Sequence, residues 1–139
     1  MSSQQEQTSG IKPLAVFMNV EAVAFLLYGI PFFFAPSWSL QVIFGFPELS
    51  DLGFFWTRAF GAVFCVVAAV EFLIVRRLSE RLDLVWAYVA IPGVILVTIV
   101  LERLLGTLEV VPFFFWTTLV VSIFFSAVKG ILRLKVKIN

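Results

Sequence analysis

The chain is expected to be an all-α polytopic membrane protein, a four-transmembrane-helix bundle with both termini cytoplasmic. Three observations predict this. Of 139 residues, 61% are hydrophobic and 14% charged, with a mean hydropathy of +1.05, whereas soluble domains carry about one quarter charged residues. The apolar residues gather into four runs, each near the roughly 20 residues that cross ~30 Å of hydrocarbon. The lysines and arginines outside those runs fall almost wholly on one side, the asymmetry that sets topology.

The first run, about 14–35, follows a polar segment, 1–12, expected to be a loose tail. It is too long for a signal h-region and has no small-x-small site, so it is expected to stay in the mature chain. Lys12 and Pro13 precede it, and Pro36 and Ser37 close it. In the link that follows, Trp38, Val42, Ile43 and Phe46 suit a short helix lying in the interface. The second run, about 53–75, ends at Arg76 and Arg77. The third, about 84–104, contains Pro92 and stops before Gly106, and the fourth, about 110–128, gives way to a basic tail, 129–139. Nothing remains for a second domain, so 1–139 reads as one.

Four crossings place Lys12, Arg76, Arg77, Arg81, Lys129, Arg133, Lys135 and Lys137 on one side against Arg103 alone, which makes that side cytoplasmic. Trp38, Trp56 and Trp116, with the Phe32–Phe34 and Phe113–Phe115 runs, gather at the opposite interface, where amphipathic rings settle. The basic tail reads as an anchor for anionic lipid.

Composition also excludes chemistry. A net charge of +1 leaves no basic surface for nucleic acid, and Cys65 has no second cysteine to bridge. Without histidine there is no imidazole for haem, for zinc or for a Ser-His pair. No GxGxxG, P-loop, HExxH, CxxC or GxSxG occurs. The expectation is therefore no metal, no resident cofactor and no catalysis, although the phenylalanine-rich surfaces would suit a bound lipid, quinone or pigment.

Ionisable residues within spans cost about 2.5–3.5 kcal/mol each on insertion scales, so each needs a partner or a purpose. At 1.5 Å per residue Arg58 lies about 8 Å below the outer boundary and Glu21 about 10 Å above the inner one. On the second helix Gly61, Cys65 and Ala69 repeat at four-residue spacing on the side of Arg58. This small-residue stripe is suited to close helix packing and turns Arg58 inward. Arg58 is then expected to pair with Glu102, among the hydroxyls of Tyr28, Thr98, Thr117 and Thr118. At the inner level Pro92 leaves the Tyr88 carbonyl without its helical donor, and Ser122 stands at similar height. Glu21 there is either a proton or cation site opening to the cytoplasm or a hydrogen-bond partner of the kinked third helix. Glu71, near the inner boundary, reads as structural, reaching headgroups or Lys129.

Arg58, Phe60 and Gly61 with the late Glu102 resemble the Arg-x-Phe-Gly and late Glu of the four-helix ergosterol-biosynthesis scaffold family, from which the chain departs in lacking histidine. The plan of Pro36 closing the first helix, a Gly-Phe-Pro turn at Gly45–Pro47 and Arg58 with Gly61 in the second is also similar to DoxX-like small membrane proteins. Both resemblances imply a small non-catalytic bundle. The function expected is an accessory or scaffold subunit of a larger membrane complex, in a bacterial inner membrane rather than a eukaryotic endomembrane. Its expected partners are the bilayer and other membrane subunits, with a homo-dimer also open. The alternatives are a proton-coupled small-molecule exporter using Glu21, whose position matches the first-helix glutamate of small multidrug transporters, and a lipid or pigment chaperone.

Overall fold

The computed structural model describes residues 2–43, 50–106 and 112–136, with side chains over 10–42, 50–106, 116–117 and 119–136. All of its regular structure is helical: α1 (Ser2–Phe34), α2 (Pro36–Trp38), α3 (Asp51–Val75), α4 (Leu84–Leu104) and α5 (Pro112–Lys135). A π-helical turn, Ser39–Ile43, continues α2, and a 3-10 turn, Leu78–Glu80, follows α3. Among the described residues three helices are long and apolar enough to cross a membrane, Gly10–Phe34, Asp51–Val75 and Leu84–Leu104. The chain is therefore a multi-pass membrane protein. Gly45–Pro47, Phe46, Val110, Lys137 and the side chains of Ile43, Phe113–Phe115 and Thr118 lie outside the described residues.

The helix boundaries follow local chemistry. Ser50 caps α3, its hydroxyl accepting from the Gly53 amide at 3.2 Å, and Asp51 supplies a negative charge to the first turn. Gly106 stops α4 with φ +69°, the left-handed geometry that favours glycine just past a helix end; its amide bonds the Arg103 carbonyl at 3.3 Å. At the end of α1, Pro36 opens α2, and the Ser39 hydroxyl donates to the Ala35 carbonyl at 2.9 Å. A short helical segment is thus present in this link as α2 and its π-helical extension.

Two boundaries differ from expectation. The polar segment before Lys12 is helical from Ser2 rather than loose, and Gly10 lies where an added Cβ would meet Lys135 and Val136 at 3.4 Å. Likewise α5 continues past the expected end at Val128 to Lys135. The α1 backbone at Gly10 thus lies against the end of α5.

Helix α1 packs along α3, α4 packs along α5, and α1 also touches α5. The α1–α3 crossing is closest at Gly29 and Gly61. A Cβ on Gly61 would stand 2.7 Å from the Gly29 carbonyl oxygen, and one on Gly29 would stand 2.9 Å from Cys65 Sγ. Phe25 and Phe64 stack beside the crossing at 5.7 Å, and Phe17 bridges α1 to α5 through Phe125 at 5.4 Å. The main core of Leu14, Met18, Ile74, Leu78, Val85, Tyr88 and Val136 lies at the opposite, basic end, where α1 begins, α3 meets α4 and α5 finishes.

Candidate functional site

Pro92 is buried within α4, and having no amide hydrogen it leaves the Tyr88 carbonyl one donor short. Lys129 of α5 fills the gap. Its Nζ donates to the Tyr88 carbonyl oxygen at 2.8 Å and lies 5.5 Å from the centre of the Tyr88 ring. One turn along, Ser126 donates to the Val89 carbonyl at 2.8 Å. The α4 turn before Pro92 is thus held from α5 by two side chains one turn apart.

The same ammonium forms an ion pair with Glu21 Oε2 from α1 and stands 3.9 Å from Glu71 Oε1 of α3. Tyr88 completes the ring of contacts, its hydroxyl donating to the Val67 carbonyl of α3 at 3.0 Å. All four long helices therefore meet at one point. Lys129 and Glu71 are 0% exposed and Glu21 1%. Both carboxyls thus stand within 4 Å of one ammonium, on opposite helices of the α1–α3 pair. Yet among the described residues no hydrogen-bond donor serves the Glu71 oxygens or Glu21 Oε1, and two ionised carboxylates can only accept.

Glu21, Tyr88 and Ser122 are all buried; Lys129 joins Glu21 to the Tyr88 carbonyl, whereas Ser122 stands two turns away along α5. Lys129 was expected to anchor to lipid with the basic tail or to be reached by Glu71; it is the centre of the site, and Arg133 is buried with it. Arg133 Nε donates to the Leu82 carbonyl at 2.7 Å, and the guanidinium stands 5.9 Å from the Trp86 ring. The signal was periodicity: at 100° per residue Ser122, Lys129, Arg133 and Val136 fall within about 60° of one another on α5. Glu71 belongs to the cluster rather than to the headgroups.

The outer cluster is corrected. Arg58 is exposed, and no ion pair among the described residues joins it to Glu102. The buried face of α3 runs through Thr57, Gly61, Ala68 and Glu71, which puts Arg58 and Ala69 about 100–120° around from Thr57. Gly61 and Cys65 do pack against α1, but Ala69 is exposed and Ala68 takes its place. Thr98 bonds its own helix, donating to the Val94 carbonyl at 2.9 Å.

Asn19 was missed. It shares a shallow groove on the outward face of α1 with Val16, Val20 and Val23, and no hydrogen bond reaches its amide among the described residues. Val16, Val20, Val23, Leu27, Ile30 and Phe34 are all exposed along this face. Their alternating four- and three-residue spacing is that of a helix–helix seam. No protein-family model, curated protein or solved structure matches the chain.

Proposed function

We propose that the chain is a non-catalytic accessory or scaffold subunit of a larger membrane protein complex. In this reading it is a four-span bundle, α5 being the fourth span, with both termini cytoplasmic. The bacterial inner membrane is its setting. The observation that carries the reading is Asn19, an amide about two and a half turns inside a spanning helix that faces outward and has no hydrogen-bond partner among the described residues. In hydrocarbon an unpaired amide costs free energy that a neighbouring helix removes by hydrogen bonding, so such residues drive helix association. Arg58, exposed on α3 beside Trp56, adds a second outward polar group; its longer chain can also reach toward headgroups. The four helices satisfy most of their inward polar groups among themselves and leave these two for something outside the chain. The exposed aromatic surfaces would also take lipid, quinone or pigment.

The exporter reading draws less support from the geometry. Glu21 is already paired with Lys129 and nearly fully buried, so a cationic substrate would have to displace an ammonium held by a carbonyl and a ring as well. Gentle solubilisation followed by native mass analysis is the test. A hetero-complex that loses this subunit in Asn19→Val or Arg58→Gln is expected. A chain found only as a monomer or a homo-dimer would overturn the assignment.

A further inference from the structure

We propose that the Glu21–Glu71–Lys129 cluster is a proton-binding site, holding one exchangeable proton between its two carboxyls. Four facts converge on it. With every group ionised the cluster contains two carboxylates and one ammonium, a net charge of −1, at positions 0–1% exposed. An uncompensated charge in such a place costs several kcal/mol, on the order of the penalty for any buried ion. Glu71 is not bonded to the ammonium, which lies 3.9 Å away and is committed to Glu21 and to the Tyr88 carbonyl. The two carboxyls share that one ammonium, and the Glu71 oxygens and Glu21 Oε1 have no hydrogen-bond donor among the described residues.

One proton resolves all of this. Placed on either carboxyl it becomes an O–H donor to the other, neutralises the cluster and adds the hydrogen bond that the Glu71 oxygens lack. A metal ion is the poorer occupant: the ammonium already stands among the carboxylates, and no group of three or more His, Cys, Asp or Glu occurs among the described residues. The charged and titratable groups that meet here are Glu21 from α1, Glu71 from α3, Tyr88 from α4 and Lys129 from α5. The Tyr88 hydroxyl is engaged with the Val67 carbonyl. Proton binding is separate from the association assigned to Asn19 and Arg58, and either can fail without the other.

The test is infrared spectroscopy of the purified full chain in lipid at neutral pH, exchanged between H2O and D2O. The wild type should show a protonated-carboxyl carbonyl band that shifts in D2O. Glu71→Gln and Glu21→Gln should both lack it, since each leaves one carboxylate balanced by Lys129. Lys129→Met should strengthen it, because two carboxyls then need protons. A second readout guards against misfolded variants: unfolding the wild type in weakly buffered detergent at neutral pH should release about one proton per chain, as a solvated glutamate ionises near its ordinary value. Absence of the band from a folded wild type, or its persistence in both glutamine variants, would overturn the assignment. So would unfolding without proton release.

Discussion

Lys129 Nζ donates to the Tyr88 carbonyl oxygen across 2.8 Å, and the carbonyl is free to receive it because Pro92 sits four residues further along α4. A helix defect in one element is thus repaired by a charged side chain from another. The same ammonium neutralises Glu21 of α1, so a single residue ties the α1–α3 pair to the α4–α5 pair.

Lys129→Met should therefore be the most damaging single change in the chain. It keeps an unbranched apolar stem but leaves two buried carboxyls and a carbonyl without their cation. Breaking a buried pair from one side costs about 3–5 kcal/mol. Thermal or denaturant unfolding in detergent should show a loss of that size, partly restored by combining Lys129→Met with Glu21→Gln. Added salt should change neither result, because counterions do not reach groups 0–1% exposed.

Tyr88→Phe should be mild by comparison. It removes the hydroxyl donated to Val67 but keeps the ring beside Lys129 and the main-chain carbonyl that accepts from it. The net loss for one such hydrogen bond is about 0.5–1.5 kcal/mol. A loss approaching that of Lys129→Met would mean that the hydroxyl, and not the carbonyl, organises the cluster.

The contrast between these two variants marks how far the sequence could be read. Pro92 and the carbonyl it frees were legible, because a proline inside an apolar run has one backbone consequence wherever it stands. The identity of the donor was not. Lys129 follows an apolar run and opens a basic segment, so charge counting assigned it to the inner boundary, beside lipid or within reach of Glu71, and only the helical phase of Ser122, Lys129 and Arg133 turns it inward. Arg58 failed for the converse reason. The stripe of Gly61 and Cys65 was a real packing surface, but small residues flank a crossing on both sides and leave its centre undetermined by about 100°. The crossing is centred on Gly61, where the backbones come closest, and Arg58 is carried around to the outside.

Gly61→Ala tests that centre. The added methyl would meet the Gly29 carbonyl oxygen at 2.7 Å, backbone on backbone, where no flexible side chain can yield. Forcing α1 and α3 apart should cost about 1–3 kcal/mol, the usual range for overpacking. Gly93→Ala is the control, since nothing lies within 4 Å of a Cβ there and alanine favours the helix. Unfolding curves for the two variants should move in opposite directions, and equal shifts would show that helix propensity, not the crossing, sets the response.

Asn19→Val separates internal stability from association. The amide makes no hydrogen bond within the described chain, and the seam around it is already valine at positions 16, 20 and 23. The substitution removes a polar group from a face that otherwise matches lipid, so the isolated subunit should unfold at the same point or slightly later. Retention in a larger assembly should fall, because a hydrogen bond between membrane helices contributes about 0.6–2 kcal/mol, a several-fold change in occupancy near the dissociation constant. Co-purification from solubilised membranes, at matched expression of wild type and variant, reads that ratio directly. Unchanged retention with unchanged stability would leave Asn19 without a partner in the assembly and move the burden of recognition to Arg58 and the aromatic belt beside it.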